Sequence, residues 1–183
     1  MVSFRTIAAL GLAATVKADN ILRFVSTDST ERTIYVTPNA GVEGHDPVTV
    51  AAGATVDVTL CASFIGNAYS ISSGAANVPG MLAEVNFQGW NGLTYFDVSA
   101  IVDAADHDGV HLMYPAESQT PTSGCETFPC NNAYYLADDI QTKTTQETII
   151  IVTLGSGSNS TSAKRSDASE GENFARNLVT GKN

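Results

Sequence analysis

Positive charge is scarce in this sequence, with nine Lys and Arg against 19 Asp and Glu and a formal charge of -10 over 183 residues. Cysteine is scarcer still, at three, too few for a disulfide framework. No second C-x-x-C or Cys/His group accompanies them, which disfavours a zinc site. No apolar run approaches the roughly 20 residues of a membrane-spanning helix, so no membrane partner is expected. Neither an internal repeat nor a phosphate-binding glycine loop occurs, and charged residues make up only 15% of the chain. What is present is 43% hydrophobic residues and a mean hydropathy of +0.02, which excludes disorder of the whole chain. The length suits one domain with a proper core and is short for two.

Both ends separate from that domain by composition. Arg5 precedes the apolar stretch Ile7 to Val16, and Val16 and Ala18 occupy the small-residue positions before a cut. Residues 1–18 therefore read as a secretory signal peptide, which makes the expected location extracellular. After Leu154 the chain turns to Gly155-Ser156-Gly157-Ser158-Asn159-Ser160-Thr161-Ser162 and stays polar to Asn183. Residues 155–183 read as a flexible tail, with an N-glycosylation acceptor at Asn159 and a dibasic pair at Lys164-Arg165.

Between these ends, residues 19–154 hold only Arg23, Arg32 and Lys143 against sixteen acids, a balance of -13. Phosphate backbones are bound mostly by Lys and Arg that displace counterions, so nucleic acid is a poor expected partner. Cys125 and Cys130, five apart around Phe128-Pro129, are expected to bridge in an oxidising compartment. Cys61 is left over as a buried thiol or an intermolecular bridge.

Period-two or β-branched runs occur at Ile21–Ser26, Thr33–Thr37, Val48–Val50, Thr55–Leu60, Asn67–Ser72, Leu82–Gln88, Leu93–Ser99 and Thr148–Leu154. Gly, Pro and Asn turns separate them. The pattern predicts an all-β, antiparallel β-sandwich with short loops. Asp103–Tyr114 is the least regular stretch and reads as a loop or a short helix.

The most informative segment is Leu82 to Ser99, two alternating strands around the Gly- and Asn-rich turn Gly89-Trp90-Asn91-Gly92. A four-residue loop would set Glu84 directly opposite Asp97; a two-residue Asn91-Gly92 turn would make them diagonal neighbours. Either register puts both acids on one face with Asn86 and Tyr95, while Ala83, Val85, Phe87, Phe96 and Val98 face the core. Like charges opposed across strands destabilise a sheet. The pair is therefore either a tolerated solvent-facing feature or a binding or catalytic site, where close carboxylates divide acid and base roles. Direct opposition places the groups about 5 Å apart, the spacing of retaining glycosidases.

Leu82-Ala83-Glu84-Val85, followed by Tyr95-Phe96-Asp97-Val98-Ser99-Ala100-Ile101-Val102-Asp103, resembles the stretch of thaumatin-like proteins in which a "LAEF" strand precedes "YDVSLVDG". Cys130 to Asp139 is similar to that family's "CPDAYSYPKDD" segment. The nearest resemblance is to the small secreted fungal members grouped around the Blastomyces yeast-phase-specific protein, some of which carry a deoxyribonuclease-type name. The resemblance implies a thaumatin-like sandwich and an acidic cleft that binds, and weakly hydrolyses, β-1,3-glucan. It carries Glu84, Asp97 and Asp103 onto the cleft's Glu and two of its Asp. Asn67 stands where the family's Arg is expected, and the "TGDC" segment and most of the family's cysteines are missing.

The expected function is recognition of an extracellular polysaccharide such as cell-wall β-1,3-glucan by a secreted monomer without cofactor or metal. Tyr95, Trp90 and Tyr134 would stack on sugar rings, and Glu84, Asp97, Asp103 and Asp139 would take hydroxyls. The alternatives are a weak retaining endo-β-1,3-glucanase using Glu84 and Asp97, a secreted interaction protein or effector without small ligand, and a metal-dependent nuclease. Only Asp103–His111 supports the last: His107 and His111 have the i, i+4 spacing of a helical metal site beside Asp106 and Asp108, a segment that otherwise reads as a solvated acidic loop.

Overall fold

The computed structural model describes residues 19–156. The signal peptide read at 1–18 and the tail from Gly157 onward, with Asn159 and Lys164-Arg165, lie outside them. Eleven strands appear among the described residues, in chain order β1 (Asn20–Ser26), β2 (Arg32–Pro38), β3 (His45–Val50), β4 (Thr55–Leu60), β5 (Ile65–Ser72), β6 (Leu82–Asn86), β7 (Thr94–Ser99), β8 (Asp108–Pro115), β9 (Ser123–Gly124), β10 (Lys143–Thr145) and β11 (Ile149–Ser156). A 3-10 turn at Trp90–Gly92 links β6 to β7. One sheet runs β4-β1-β11-β8-β9 and the other β10-β7-β6-β5-β2-β3. The sandwich expected from the alternating runs is the observed fold.

Two apolar faces meet between the sheets. Leu22, Phe24, Ile150, Val152 and Met113 come from the five-stranded sheet, and Ile34, Ala83, Val85, Phe96 and Val98 from the six-stranded one, all essentially inaccessible to water. Alternation, clearest along β1, sends every second side chain inward, which is what the period-two sequence encodes. Strand pairing is antiparallel throughout except between β1 and β11, which run parallel at the centre of their sheet.

Three features differ from the sequence reading. Asp103–Tyr114 is no helix: after a turn it becomes β8, which pairs with β11. Gly109, Val110 and His111 are buried in succession there, so the alternation that betrays a half-exposed strand is absent. The short strands β9 and β10 close the two sheet edges from segments without periodicity. At Gly124 in β9, φ is +96° and a Cβ would fall on the His111 carbonyl, so only glycine fits. The last strand also outlasts Leu154, since Gly155 pairs with Gly109 and Ser156 with Asp108.

Candidate functional site

The hairpin of β6 and β7 sets the site. Pairing runs Asn86↔Tyr95, Val85↔Phe96 and Glu84↔Asp97, the register of the four-residue loop. The Gly89 amide closes that loop on the Leu93 carbonyl at 2.8 Å, and Gln88 and Asn91 sit at positive φ. A Cβ on Gly89 would press on the end of the Asn86 amide and on the Tyr95 ring, so the backbone of the loop runs close beneath these side chains. Because Val85 and Phe96 face the core, Glu84 and Asp97 face outward from the sandwich.

Register across the sheet extends this pair into a row. Asn67 of β5 lies opposite Glu84, and Thr142, just before β10, donates its hydroxyl to Asp97 Oδ2 at 3.2 Å. Tyr134 joins from the β7 edge, where it bridges Ser99: its hydroxyl lies 2.8 Å from Thr142 Oγ1. With Thr142 donating to Asp97, the proton order along this chain is Tyr134 to Thr142 to Asp97. Asn67, Glu84 and Asp97 retain 9%, 4% and 1% of their exposure, so the row forms a floor rather than a solvated surface. The three cations of the described residues lie elsewhere. Arg23 is bound to Asp57, Arg32 sits between the sheets, and Lys143 pairs with Phe96, one position out of phase with Asp97.

Adjacent rows carry rings. On one side Tyr35 and Tyr69, paired across β2 and β5, stack with centroids 5.3 Å apart and planes 15° apart. The Tyr69 hydroxyl donates to Asn77 Oδ1, and burial together with the Tyr35 neighbour raises its pKa. On the other side the Tyr95 hydroxyl donates to the Trp90 carbonyl at 3.3 Å, and the Trp90 ring is 65% exposed at the hairpin tip. Tyr134 is only 8% exposed with its hydroxyl engaged, so its ring is a wall of the floor and not a free stacking surface.

Asp103 and Asp139 stand apart from this row. The Asp103 carboxylate accepts from the Ala105 amide, and that of Asp139 from the amides of Tyr135 and Leu136, so each holds its own turn. His107 and His111 do not share a helical face, since His111 lies within β8 and His107 just before it. Instead their rings flank Phe128, with centroids 6.0 and 5.5 Å from it, and a His111 ring nitrogen meets the His107 carbonyl. Asp106 is buried and takes the amides of Met81 and Asp108, which corrects the reading of this stretch as a solvated loop. Among the described residues no group of three or more His, Cys, Asp or Glu is placed to hold a metal ion.

Sequence reasoning missed the most heavily bonded charge. Arg32 of β2, 1% exposed, points between the sheets and donates to both Asp28 carboxylate oxygens at 2.8 Å, to Asp108 Oδ1 at 2.7 Å and to Ser156 Oγ at 3.1 Å. Ser72 completes the cluster by donating to Asp108. The Arg32 hydrogen bonds hold the Asp28 carboxyl far below the usual carboxylate range, against the opposing effect of burial. A single Arg at an inward position of an alternating strand was the available signal. Cys125 and Cys130 are bridged, and Cys61 is a free, half-buried thiol.

No family model matches the chain. The antigenic protein SchS21 of Stachybotrys chartarum is 53% identical over 135 residues, which span 74% of this chain and 94% of that protein. The crystal structure of the protein elicitor MoHrip2 from Magnaporthe oryzae superposes with a TM-score of 0.59 at 14% identity, covering 74% of this chain and 98% of that one. At that identity the likeness shows a shared fold.

Proposed function

Because this chain belongs to the same family as the Stachybotrys chartarum antigenic protein SchS21, we propose that it is a secreted protein that acts by surface recognition outside the cell. Its ligand, on this reading, is an extracellular polysaccharide such as cell-wall β-1,3-glucan, taken up on the outer face of the six-stranded sheet. The observation that carries the reading is the direct opposition of Glu84 and Asp97 in a row with Asn67, bordered by the Tyr35–Tyr69 stack. Carboxylates and an amide accept from and donate to hydroxyls, and the tyrosine pair and Trp90 offer ring faces to the apolar side of a sugar. The shallow exposure of the carboxylates limits them to hydroxyls that reach the floor, so the rings supply most of the contact area. Weak retaining hydrolysis is the catalytic extension, because directly opposed strand positions set the Cβ atoms about 5 Å apart, which lets the two carboxyls reach the close spacing that retaining enzymes use.

A second reading, a secreted interaction protein without small ligand, is favoured by the 4% and 1% exposure of the two acids. It is also in keeping with the names antigenic protein and protein elicitor carried by the similar proteins. Depletion of the protein from solution by insoluble β-1,3-glucan separates the readings. The glycan reading expects the wild type to be depleted and Glu84→Gln and Asp97→Asn to remain largely in solution. Equal depletion of all three removes the site assignment. No depletion leaves the interaction reading, and magnesium-dependent DNA cleavage by the wild type would favour a nuclease instead.

A further inference from the structure

We propose that a separate surface, the apolar patch of Val102, Leu136 and Ile140 beside β7, docks a cationic, amphipathic segment of a partner protein. Leu136 is 63% exposed, Ile140 90% and Val102 42%; with Trp90 these are the large hydrophobic side chains that the described residues leave in water. Scattered exposed hydrophobics are ordinary, but Val102 and Leu136 are brought to one edge by backbone pairing, and Ile140 follows Leu136 across one turn. Ser99 bridges Tyr134 in parallel, and the Ala100 amide donates to the Tyr134 carbonyl at 2.7 Å. The chain leading to Val102 and the chain leading to Leu136 therefore leave the same edge of the six-stranded sheet side by side.

The loop that presents Leu136 and Ile140 is held stiff. Asp139 Oδ2 accepts from the amides of Tyr135 and Leu136 at 2.8 and 2.9 Å, and the Asp139 amide returns to the Leu136 carbonyl. At the loop's base the Thr142 amide and hydroxyl both meet the Tyr134 hydroxyl. A turn braced in this way presents two aliphatic side chains from an ordered backbone, which leaves only their own rotamers to be fixed on binding. Nothing in the packing of the sandwich requires them to be apolar, since neither contributes to the core.

Charge selects the occupant. Asp103 adjoins Val102, and Asp138 and Asp139 lie between Leu136 and Ile140, while residues 100–142 contain no Lys or Arg. Apolar side chains whose sequence neighbours are acidic and never basic complement Leu-like side chains flanked by Lys or Arg. The same carboxylates repel the anionic surface of a membrane, which attracts basic segments.

The test uses the full secreted chain and a fluorescent synthetic peptide of alternating Leu and Lys in helical periodicity, with oligolysine and phosphatidylserine-containing vesicles as controls. The peptide is expected to bind, to lose at least tenfold in affinity with Leu136→Ser/Ile140→Ser or with Asp138→Lys, and to be unaffected by Glu84→Gln. That last control separates this surface from the proposed glycan face. Unchanged thermal unfolding of the variants certifies their folds. Equal peptide affinity for wild type and Leu136→Ser/Ile140→Ser overturns the proposal, as does binding of oligolysine as strong as that of the amphipathic peptide. Binding to the vesicles but not to the peptide, or self-association of the wild type abolished by Leu136→Ser/Ile140→Ser, overturns it in favour of a lipid or a second copy.

Discussion

Glu84 lies directly opposite Asp97 across β6 and β7, and the two acids keep only 4% and 1% of their exposure. A solvent-facing pair of like charges is a minor burden on a sheet, but a covered one is retained against a larger penalty. Glu84→Gln is therefore expected to leave the fold intact and raise stability by about 0.5–1 kcal/mol, the scale of a cross-strand pair. Urea denaturation checks this, and a loss of stability would show that Glu84 is held by compensating bonds worth more than the repulsion.

Arg32 presents the opposite case, a buried cation whose bonds to Asp28 and Asp108 tie β2 to the partner sheet. Removing one member of a buried pair leaves the other charges uncompensated, so Arg32→Met is expected to cost about 3 kcal/mol. The lower end of the usual range applies because both carboxylates keep some contact with water. Adding Asp28→Asn and Asp108→Asn to that variant is expected to recover part of the loss, which equilibrium denaturation of the single and triple variants measures.

The same cluster contributes to the loss of stability in acid, beside the depressed carboxyls of Asp57 and Glu147. Asp28 has its folded-state carboxyl depressed, chiefly by the Arg32 hydrogen bonds, whereas an unfolded Asp titrates near about 3.9. A depressed carboxyl contributes stability that is complete above the unfolded value and is lost as pH falls toward the folded one. The urea midpoint is expected to stay level down to about pH 5 and to decline from about pH 4 downward. Asp28→Asn is expected to lower the plateau and flatten that decline; an equally steep acid limb in the variant would place the controlling carboxylate elsewhere.

Cys125 and Cys130, bridged at a separation of five residues, close a small loop that contains Phe128. Loop-closure entropy for so short a ring gives about 2 kcal/mol, the expected loss for Cys125→Ser/Cys130→Ser. Thiol labelling of the denatured, unreduced protein is expected to find one reactive group, at Cys61, and none after Cys61→Ser.

Much of the fold is legible in the sequence because most strands have one core face and one outer face, so period two shows in Ile21–Ser26, Leu82–Gln88 and Leu93–Ser99. β8 hides because Gly109, Val110 and His111 are all covered, and β9 and β10 hide because two or three residues carry no period. The hairpin is legible, and with it the placing of Glu84 and Asp97 on one face, but local pattern allows two loop lengths, and only the observed pairing selects direct opposition. The Asn67, Tyr35 and Thr142 neighbours depend on pairing between segments far apart in the chain, which no local pattern records. The i, i+4 spacing of His107 and His111 misleads for the same reason: spacing is informative only once the local backbone is known, and here it is a turn running into a strand.

The outer face of the six-stranded sheet is the surface proposed to recognise polysaccharide. Amide chemical shifts recorded while a soluble β-1,3-glucan oligosaccharide is titrated into the protein test it most directly. Saturable shifts are expected at Asn67, Glu84, Asp97 and the Tyr35–Tyr69 neighbourhood, and they are expected to be lost in Asp97→Asn. Saturable shifts confined to the five-stranded sheet, or none at any glucan concentration, would contradict it.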